Sequence, residues 1–168
     1  MLSILAKLLK VLNSEQSPGQ IAAAISLAAI VGFTPLFSLH NIVIFFFVLI
    51  LRVNLTVFLV AWPLLTLLGV LIAPGAESIG LSILQNPSLI PFWESFYNTL
   101  IGRWSNFYFS GVIGGLVIGV ITAVVLYPVS ILLVNQYRTK LMQRFEQFHI
   151  VRLIKTTKFW QLYDSTAN

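Results

Sequence analysis

The sequence contains no cysteine and few charged residues. Without cysteine the chain forms no disulfide, has no thiol nucleophile and offers no thiolate ligand to a metal. Charged residues account for 9% of the chain and hydrophobic residues for 58%, with a mean hydropathy of +0.92. Because a water-soluble domain has about 25% charged residues, this composition predicts an integral membrane protein.

Aspartate, glutamate and lysine are missing from the interior of every apolar run. Proton-coupled carriers and intramembrane hydrolases retain ionisable residues at membrane depth. Catalysis also needs a nucleophile with its base or a cluster of metal ligands, and His40 and His149 are too far apart in sequence to form a local ligand pair. We therefore expect no catalytic residue, no metal site, no cofactor and no enzymatic activity.

Basic residues concentrate near the two ends of the chain. Six of the ten follow the last apolar run, and Lys7 and Lys10 precede the first. Because positive residues flank spans on the cytoplasmic side, we expect both termini in the cytoplasm and an even number of crossings. The tail's aromatic residues follow helix periodicity, which favours a membrane surface over a nucleic-acid partner. The six basic residues are Arg138, Lys140, Arg144, Arg152, Lys155 and Lys158.

The pattern of apolar runs and breaks predicts an all-α integral membrane protein made of five segments. A broken helical hairpin and two transmembrane helices carry amphipathic interfacial helices at their flanks. The segments are an N-terminal interfacial helix (1–13), the broken hairpin with a kinked transmembrane helix (14–76), periplasmic interfacial helices (77–104), a C-terminal transmembrane helix (105–137) and a cytoplasmic basic tail (138–168).

The hairpin consists of two apolar helices that are short for a membrane span. Residues 18–33 and 39–53 each cover only about 22 to 24 Å of a hydrocarbon layer roughly 30 Å thick. Two arrangements fit: a re-entrant hairpin that dips in and returns, or a pair of thin spans in a locally pinched bilayer. Both return Arg52 to the cytoplasmic face. The predicted structural breaks are Pro18, Gly32, Pro35 and Pro63.

The two transmembrane helices are predicted from the longer apolar runs. Residues 55–72 predict a span that is kinked at Pro63 and ended by the sequence Ala-Pro-Gly-Ala at 73–76. Residues 107–134 predict the last crossing, which is long enough to tilt and which Pro128 bends.

Small residues recur at helical spacing in two of the predicted helices. Gly111, Gly115 and Gly119 leave one face of the last helix almost bare, and Ala24 and Ala28 do the same in the first arm of the hairpin. Faces of this kind associate in lipid, where apolar side chains gain little from burial. The two faces either pack together within one chain, or they mediate formation of a homo-oligomer or docking of a partner's helix.

Two groups of polar residues are candidate lipid- or headgroup-binding sites. At the hairpin turn, such side chains either line a hydrated pocket for a headgroup or an ion, or satisfy backbone groups freed by the break. At the end of the hairpin, Arg52 either binds a lipid phosphate or anchors the chain at the interface, and Asn54 caps the next helix. The turn residues are Thr34, Ser38, His40 and Asn41.

Three short motifs follow one another along the chain: Ser17-Pro18, Gly32-Phe33-x-Pro35 and Arg52-x-Asn54. Their order resembles the bacterial membrane-protein family called domain of unknown function 2062. The resemblance covers roughly residues 17–80. The remainder, as far as Tyr163, is similar to a proteobacterial branch of small inner-membrane proteins often encoded beside a large, membrane-anchored periplasmic protein. The resemblance therefore implies a bacterial inner membrane and a large periplasmic partner.

Two classes of function fit these features. In the first, the protein is a non-enzymatic inner-membrane component that handles or hands over lipid and seats the larger periplasmic partner. In the second, it is a small channel or transporter for an ion or solute that works as a homo-oligomer, with residues 34–41 lining the path.

Overall fold

Residues 17–141 of the computed structural model fold into helices joined by short turns, and none of these residues lies in a β-strand. The interfacial helix predicted at 1–13 and most of the basic tail predicted at 138–168 lie outside the described residues. The helices are α1 (Pro18–Gly32), α2 (Leu39–Ile50), α3 (Leu55–Leu84), a 3-10 helix (Pro87–Leu89), α4 (Ile90–Tyr97), α5 (Leu100–Trp104), α6 (Ser110–Gln136) and a π-helical turn (Tyr137–Leu141).

Side-chain caps mark where α1 and α3 begin. The Ser17 hydroxyl oxygen accepts a hydrogen bond from the backbone N–H of Gln20 at 3.3 Å, and Pro18 occupies the first turn, where no N–H is needed. The side-chain oxygen of Asn54 accepts a hydrogen bond from the backbone N–H of Val57 at 2.9 Å. Both helix starts follow from local sequence signals, and the structure confirms them.

The breaks predicted by glycine and proline are only partly present. Gly32 ends α1, and Pro35 lies in the turn before α2, as predicted. α3 continues through Pro63 without interruption, so this proline ends no helix, and the kink predicted there stays a prediction. Pro128 likewise lies inside a continuous α6.

The end predicted for α3 at residues 73–76 is wrong, since the helix runs through Pro74 to Leu84. Ala76 and Gly80, which follow this proline, are both buried against α6. Packing against α6 therefore outweighs the local cost of a proline in the helix. As a result, the first eight residues of the segment predicted as separate interfacial helices belong to α3.

Helix α6 begins at Ser110, later than the start predicted from its apolar run. Asn106 adopts a left-handed backbone conformation with a φ of 57°, which turns the chain before the helix. Asparagine tolerates this conformation better than most residues, so the turn has a local cause in the sequence.

Helices α1, α3 and α6 form the core of the described fold. α1 is deeply buried, and Ala24 and Ala28 have 0% of their surface exposed. It runs antiparallel to α6, because Ile30 lies against Gly119 and the later Phe33 lies against Gly115. Gly115 and Gly119 of the predicted α6 face therefore pack against α1 within one chain, where they meet Phe33 and Ile30.

Glycines let these three helices approach one another backbone to backbone. A Cβ atom at Gly114 would collide with the carbonyl oxygen of Ala76, and one at Gly80 would collide with the backbone of α6. A Cβ atom at Gly115 would collide with the carbonyl oxygen of Phe33. Close backbone contact of this kind is typical of helices that associate in lipid.

The face predicted for α6 needs one correction. Gly115 and Gly119 lie against α1, but an ideal Cβ atom at Gly111 meets nothing within 4 Å. Gly114 makes the close contact with α3 instead. Gly111 therefore makes no close helix contact among the described residues, because α6 packs between two helices and uses two faces rather than one; packing of Gly111 against a second copy or a partner's helix stays a prediction.

Helix α2 lies on the outside of this core and contacts it along one side. Phe45 makes edge-to-face contacts with Phe58 and Trp62 of α3, with ring centroids 6.0 and 5.7 Å apart. Val48 is 5% exposed, whereas the neighbouring Leu49 is 74% exposed. Most of the apolar side chains of α2 therefore face outward.

Large apolar side chains also cover the outer surface of α3 and α6. Leu71 and Val124, for example, are 76% and 68% exposed. By length and composition, Leu55–Leu84 and Ser110–Thr139 are each long and apolar enough to cross a membrane. α1 and α2 are apolar but shorter.

We expect Gly114→Ala to destabilise the fold, because the new methyl group collides with the Ala76 carbonyl and must push α3 and α6 apart. Overpacking of this kind costs about 1–3 kcal/mol. Gly111→Ala is the matched control on the same helix: its methyl group meets open space, and alanine is about 1 kcal/mol better than glycine in a helix. The melting temperatures of the purified variants give the comparison. A Gly114→Ala protein that melts with the wild type would refute the close contact.

Candidate functional site

The hairpin base, which we define as residues 17–20 and 51–54, brings the two ends of the α1–α2 hairpin together. The backbone N–H of Asn54 donates a hydrogen bond to the carbonyl oxygen of Gln20 at 3.3 Å. The capping residues of α1 and α3, Ser17 and Asn54, therefore lie at the same end of the bundle. Asn54 is only 6% exposed, so its side chain is enclosed by the base.

Arg52, also in the hairpin base, adopts a left-handed backbone conformation with a φ of 51°. It follows Leu51, whose backbone N–H donates to the carbonyl oxygen of Phe47 at 2.9 Å and caps α2. Glycine is usual just after such a cap, since a side chain in this conformation costs about 1 kcal/mol. The Arg52 side chain is exposed. A charged residue at a strained backbone position is a reason to test its side chain for a function.

At the other end of the hairpin, residues 33–41 form the hairpin tip, where the predicted polar side chains bond to the backbone. The side-chain N–H groups of Asn41 donate to the carbonyl oxygens of Pro35 at 2.9 Å and Leu36 at 3.4 Å. The Ser38 hydroxyl donates to the same Pro35 carbonyl at 2.7 Å. The break at Pro35 thus leaves carbonyl groups that side chains of the tip satisfy.

Thr34 completes this set of contacts. Its hydroxyl lies 2.9 Å from the carbonyl oxygen of Ile30 and 3.2 Å from the side-chain oxygen of Asn41, and it donates to one of them at a time. Thr34, Ser38 and Asn41 are 8%, 2% and 0% exposed, respectively. These contacts favour a structural role for the three side chains over direct binding of a headgroup or an ion.

His40 differs from its polar neighbours because neither of its ring nitrogens has a hydrogen-bond partner among the described residues. Its ring stacks on Phe107, with centroids 5.9 Å apart and an interplanar angle of 30°. Phe107 in turn stacks on Phe96 of α4 at 6.0 Å. His40 therefore joins the tip to an aromatic cluster in the segment between α3 and α6.

The structure does not bring the six candidate residues into one site. The four tip residues and the pair Arg52 and Asn54 lie at opposite ends of α2, whose twelve residues extend over about 18 Å. The tip and the base must therefore be considered separately.

An open cleft of about 440 Å³, the outer cleft, lies beside the tip. Besides Pro35 and Ser38, its lining includes Glu77, Asn106 and Ser110. Sequence reasoning missed these three residues because they come from α3 and from the start of α6. Only Asn106 carried a local signal, since an asparagine before an apolar helix is a common turn residue.

A second, apolar groove lies beside the base, between the first turns of α1 and α3 and the last turns of α6. Ile21, Val57 and Val134 lie in it, and its volume is about 470 Å³. Nothing in the sequence distinguishes these residues from other apolar positions, because the groove arises from the way three helices diverge.

The described residues thus form an all-helical bundle with two helices of membrane-spanning length and a short hairpin with clusters of polar residues at its two ends. The family model for an uncharacterized protein conserved in bacteria (DUF2062) matches residues 3–143. The chain belongs to this family, as its motifs indicated, and the match extends past residues 17–80 to include all of α6. No curated protein and no solved structure matches the chain.

We expect substitutions of two neighbouring tip residues, Asn41 and His40, to differ in their effect on stability. Asn41→Leu removes both hydrogen bonds that this fully buried side chain donates to the Pro35 and Leu36 carbonyls, and each lost hydrogen bond costs about 0.5–1.5 kcal/mol. His40→Phe keeps the stack on Phe107 and loses no hydrogen bond, so it is the matched control. Thermal unfolding of the two variants measures the difference. A His40→Phe protein as unstable as Asn41→Leu would show that the imidazole has a polar role.

Substitutions of Arg52 separate its backbone strain from its charge. Arg52→Gly should raise the free energy of unfolding by about 1 kcal/mol, because glycine adopts the left-handed conformation without strain. If the guanidinium acts on a ligand, the same variant should lose activity in a growth or lipid-transport assay. Arg52→Ala should lose activity in the same way, and Arg52→Lys should lose less. Full activity of a stabilised Arg52→Gly protein would remove Arg52 from the site.

Proposed function

We propose that this chain is a multi-pass protein of the bacterial inner membrane that handles lipid without catalysing a reaction, with both termini in the cytoplasm. It also seats a larger, membrane-anchored periplasmic partner. Two features support a membrane as its solvent: two helices have spanning length, and the large side chains exposed on them are apolar. In lipid this surface is solvated, whereas in water it would aggregate.

The observation that carries the proposal is the height of the hairpin tip along α3. A Cβ atom at Gly69 would lie 2.6 Å from the carbonyl oxygen of Gly32, the last residue of α1. Gly69 is about 21 Å along α3 from Leu55. If the hairpin base lies at the cytoplasmic surface, α1 ends about 9 Å short of the far side of a hydrocarbon layer about 30 Å thick, and the non-helical turn of the tip begins there.

The position of the segment between α3 and α6 supports the inference that the bilayer is thinned above the tip. Aromatic residues such as Trp93, Phe96 and Phe107 cluster in it, and the stacking of Phe107 on His40 holds the segment against the tip. Clustered aromatic side chains belong to the headgroup level of a membrane. We infer that the outer headgroup layer is drawn down to the tip, so that the bilayer is locally pinched and lipid leaves the outer leaflet at a lower cost.

A large partner belongs to the proposal because of the exposed apolar side chains around the tip. Phe37 is 91% exposed, and Leu100 and Trp104 of α5 are 74% and 72% exposed. These side chains provide a surface on which a partner's membrane anchor can pack at the outer face. Lipid delivered to the thinned region would then pass to the partner.

The alternative function is a small oligomeric channel or transporter, and one observation favours it. The outer cleft has a partly polar lining that includes Glu77, Asn106 and Ser110. Ion or solute flux through the purified protein in liposomes would support this alternative, because lipid handling predicts no such flux.

Topology and binding partners test the proposal together. The chain has no cysteine, so single substitutions report their own location. We expect Trp104→Cys to react with a membrane-impermeant maleimide from the periplasm, and Arg52→Cys to react only after the inner membrane is permeabilised. Periplasmic labelling of Arg52→Cys would overturn the topology.

To test for binding partners, the protein is purified in mild detergent, and the proteins and lipids that co-purify are identified by mass spectrometry. Recovery of a large periplasmic protein together with phospholipid is the expected result. Recovery of neither, combined with solute flux in liposomes, would replace lipid handling by transport.

A further inference from the structure

The apolar groove beside the hairpin base has a buried floor and an open side. On the floor, Ile21, Val57 and Val134 are 1%, 6% and 5% exposed, whereas Leu64 and Leu133 at the rim are 59% and 60% exposed. The other lining residues are apolar apart from Ser130 and Tyr137. Such a surface offers almost no hydrogen bonds to an occupant, so it suits a hydrocarbon chain better than an extended peptide.

One end of this groove lies at the polar residues of the hairpin base. Ile21 directly follows Gln20, whose carbonyl oxygen accepts the hydrogen bond from Asn54. Val57 is the residue that the Asn54 side chain caps, and Arg52 precedes Asn54 by two positions. From Val57 to Leu64 the groove then extends along α3 for about 10 Å.

The charged residues that the structure describes at this end are positive. Arg52 and Arg138, which follows the groove residue Tyr137, lie here, as do the starts of α1 and α3 with their positive dipole ends. Within residues 17–141 the acidic side chains are Glu77, beside the tip, and Glu94, in α4, and neither is at the base. Among residues 17–141, the groups at the mouth of the groove that would meet a phosphate are therefore positive, with the exposed Arg52 among them.

We propose that the groove binds one acyl chain of an anionic glycerophospholipid from the leaflet at the hairpin base, with the lipid phosphate at Arg52. The proposal rests on the proposed function, which places the base at the cytoplasmic surface. A lipid in that leaflet has its headgroup at the surface and its chains directed toward the midplane, and the groove has the same polarity from mouth to end. Arg52 contributes paired hydrogen bonds to the phosphate oxygens.

A photoactivatable lipid tests this assignment. The full-length protein is placed in phosphatidylcholine nanodiscs containing a small fraction of phosphatidylglycerol with a diazirine on one acyl chain, and the labelled peptides are mapped by mass spectrometry. We expect label to concentrate on peptides that contain Ile25, Ala61, Leu64 and Ser130. Label spread evenly over the exposed apolar surface, or concentrated elsewhere, would overturn the proposal, and so would a groove that a segment of the chain itself shields from lipid.

Two substitutions fill the groove by different routes, so that a folding defect in one does not decide the outcome. Ala61→Phe adds a ring to the wall, and Leu64→Trp enlarges the rim. Each should lower labelling of the groove peptides by about tenfold, equivalent to about 1.4 kcal/mol of binding free energy. Leu68→Trp is the matched control, one turn further along α3 at a position 51% exposed and outside the groove, and its labelling should equal that of the wild type.

Recognition of the lipid headgroup is tested by a separate measurement. Arg52→Gly should abolish the preference for labelled phosphatidylglycerol over labelled phosphatidylcholine while label on the groove remains. An unchanged preference would overturn the assignment of the phosphate to Arg52. A different result would show that the groove binds lipid but that the protein does not handle lipid. In that case the wild-type groove is still labelled, but cells carrying Ala61→Phe or Leu64→Trp behave like wild type in the lipid-transport assay.

Discussion

The direct contact of helix backbones at glycines is the constraint on which the rest of the structure depends. Because Gly115 admits the carbonyl of Phe33, and Gly69 lies against that of Gly32, α1 is fixed between α3 and α6 at one height. That height sets where the tip ends. The short reach of the hairpin is therefore imposed by the two long helices as well as by its own breaks.

The polar residues at the two ends of the hairpin have different roles. At the tip, Ser38 and Asn41 direct their donors to carbonyl groups of the turn, so polar side chains there maintain the break itself. At the base, Asn54 holds the start of α3 beside α1, while Arg52 remains exposed. The same motif that ends the hairpin thus contains one residue committed to the fold and one that is available to a ligand.

Local features of this fold could be predicted from the sequence, whereas features that depend on packing could not. Ser17, Pro18 and Asn54 mark helix starts because a cap acts within one turn. Pro74 does not end α3, because burial of Ala76 and Gly80 against α6 outweighs the local signal. The lining of the outer cleft and of the apolar groove comes from segments far apart in the chain, and no local pattern reveals such a meeting.

The loose attachment of α2 has a mechanical consequence. This helix contacts the core mainly through Phe45 and Val48 and leaves its other large side chains outside. Its ends are joined to the bundle by the turn at residues 33–38 and by the loop at 51–54. Displacing α2 as a rigid arm about these two hinges requires breaking far fewer contacts than separating α3 from α6. A force on the bundle would therefore displace α2 before it separated α3 from α6.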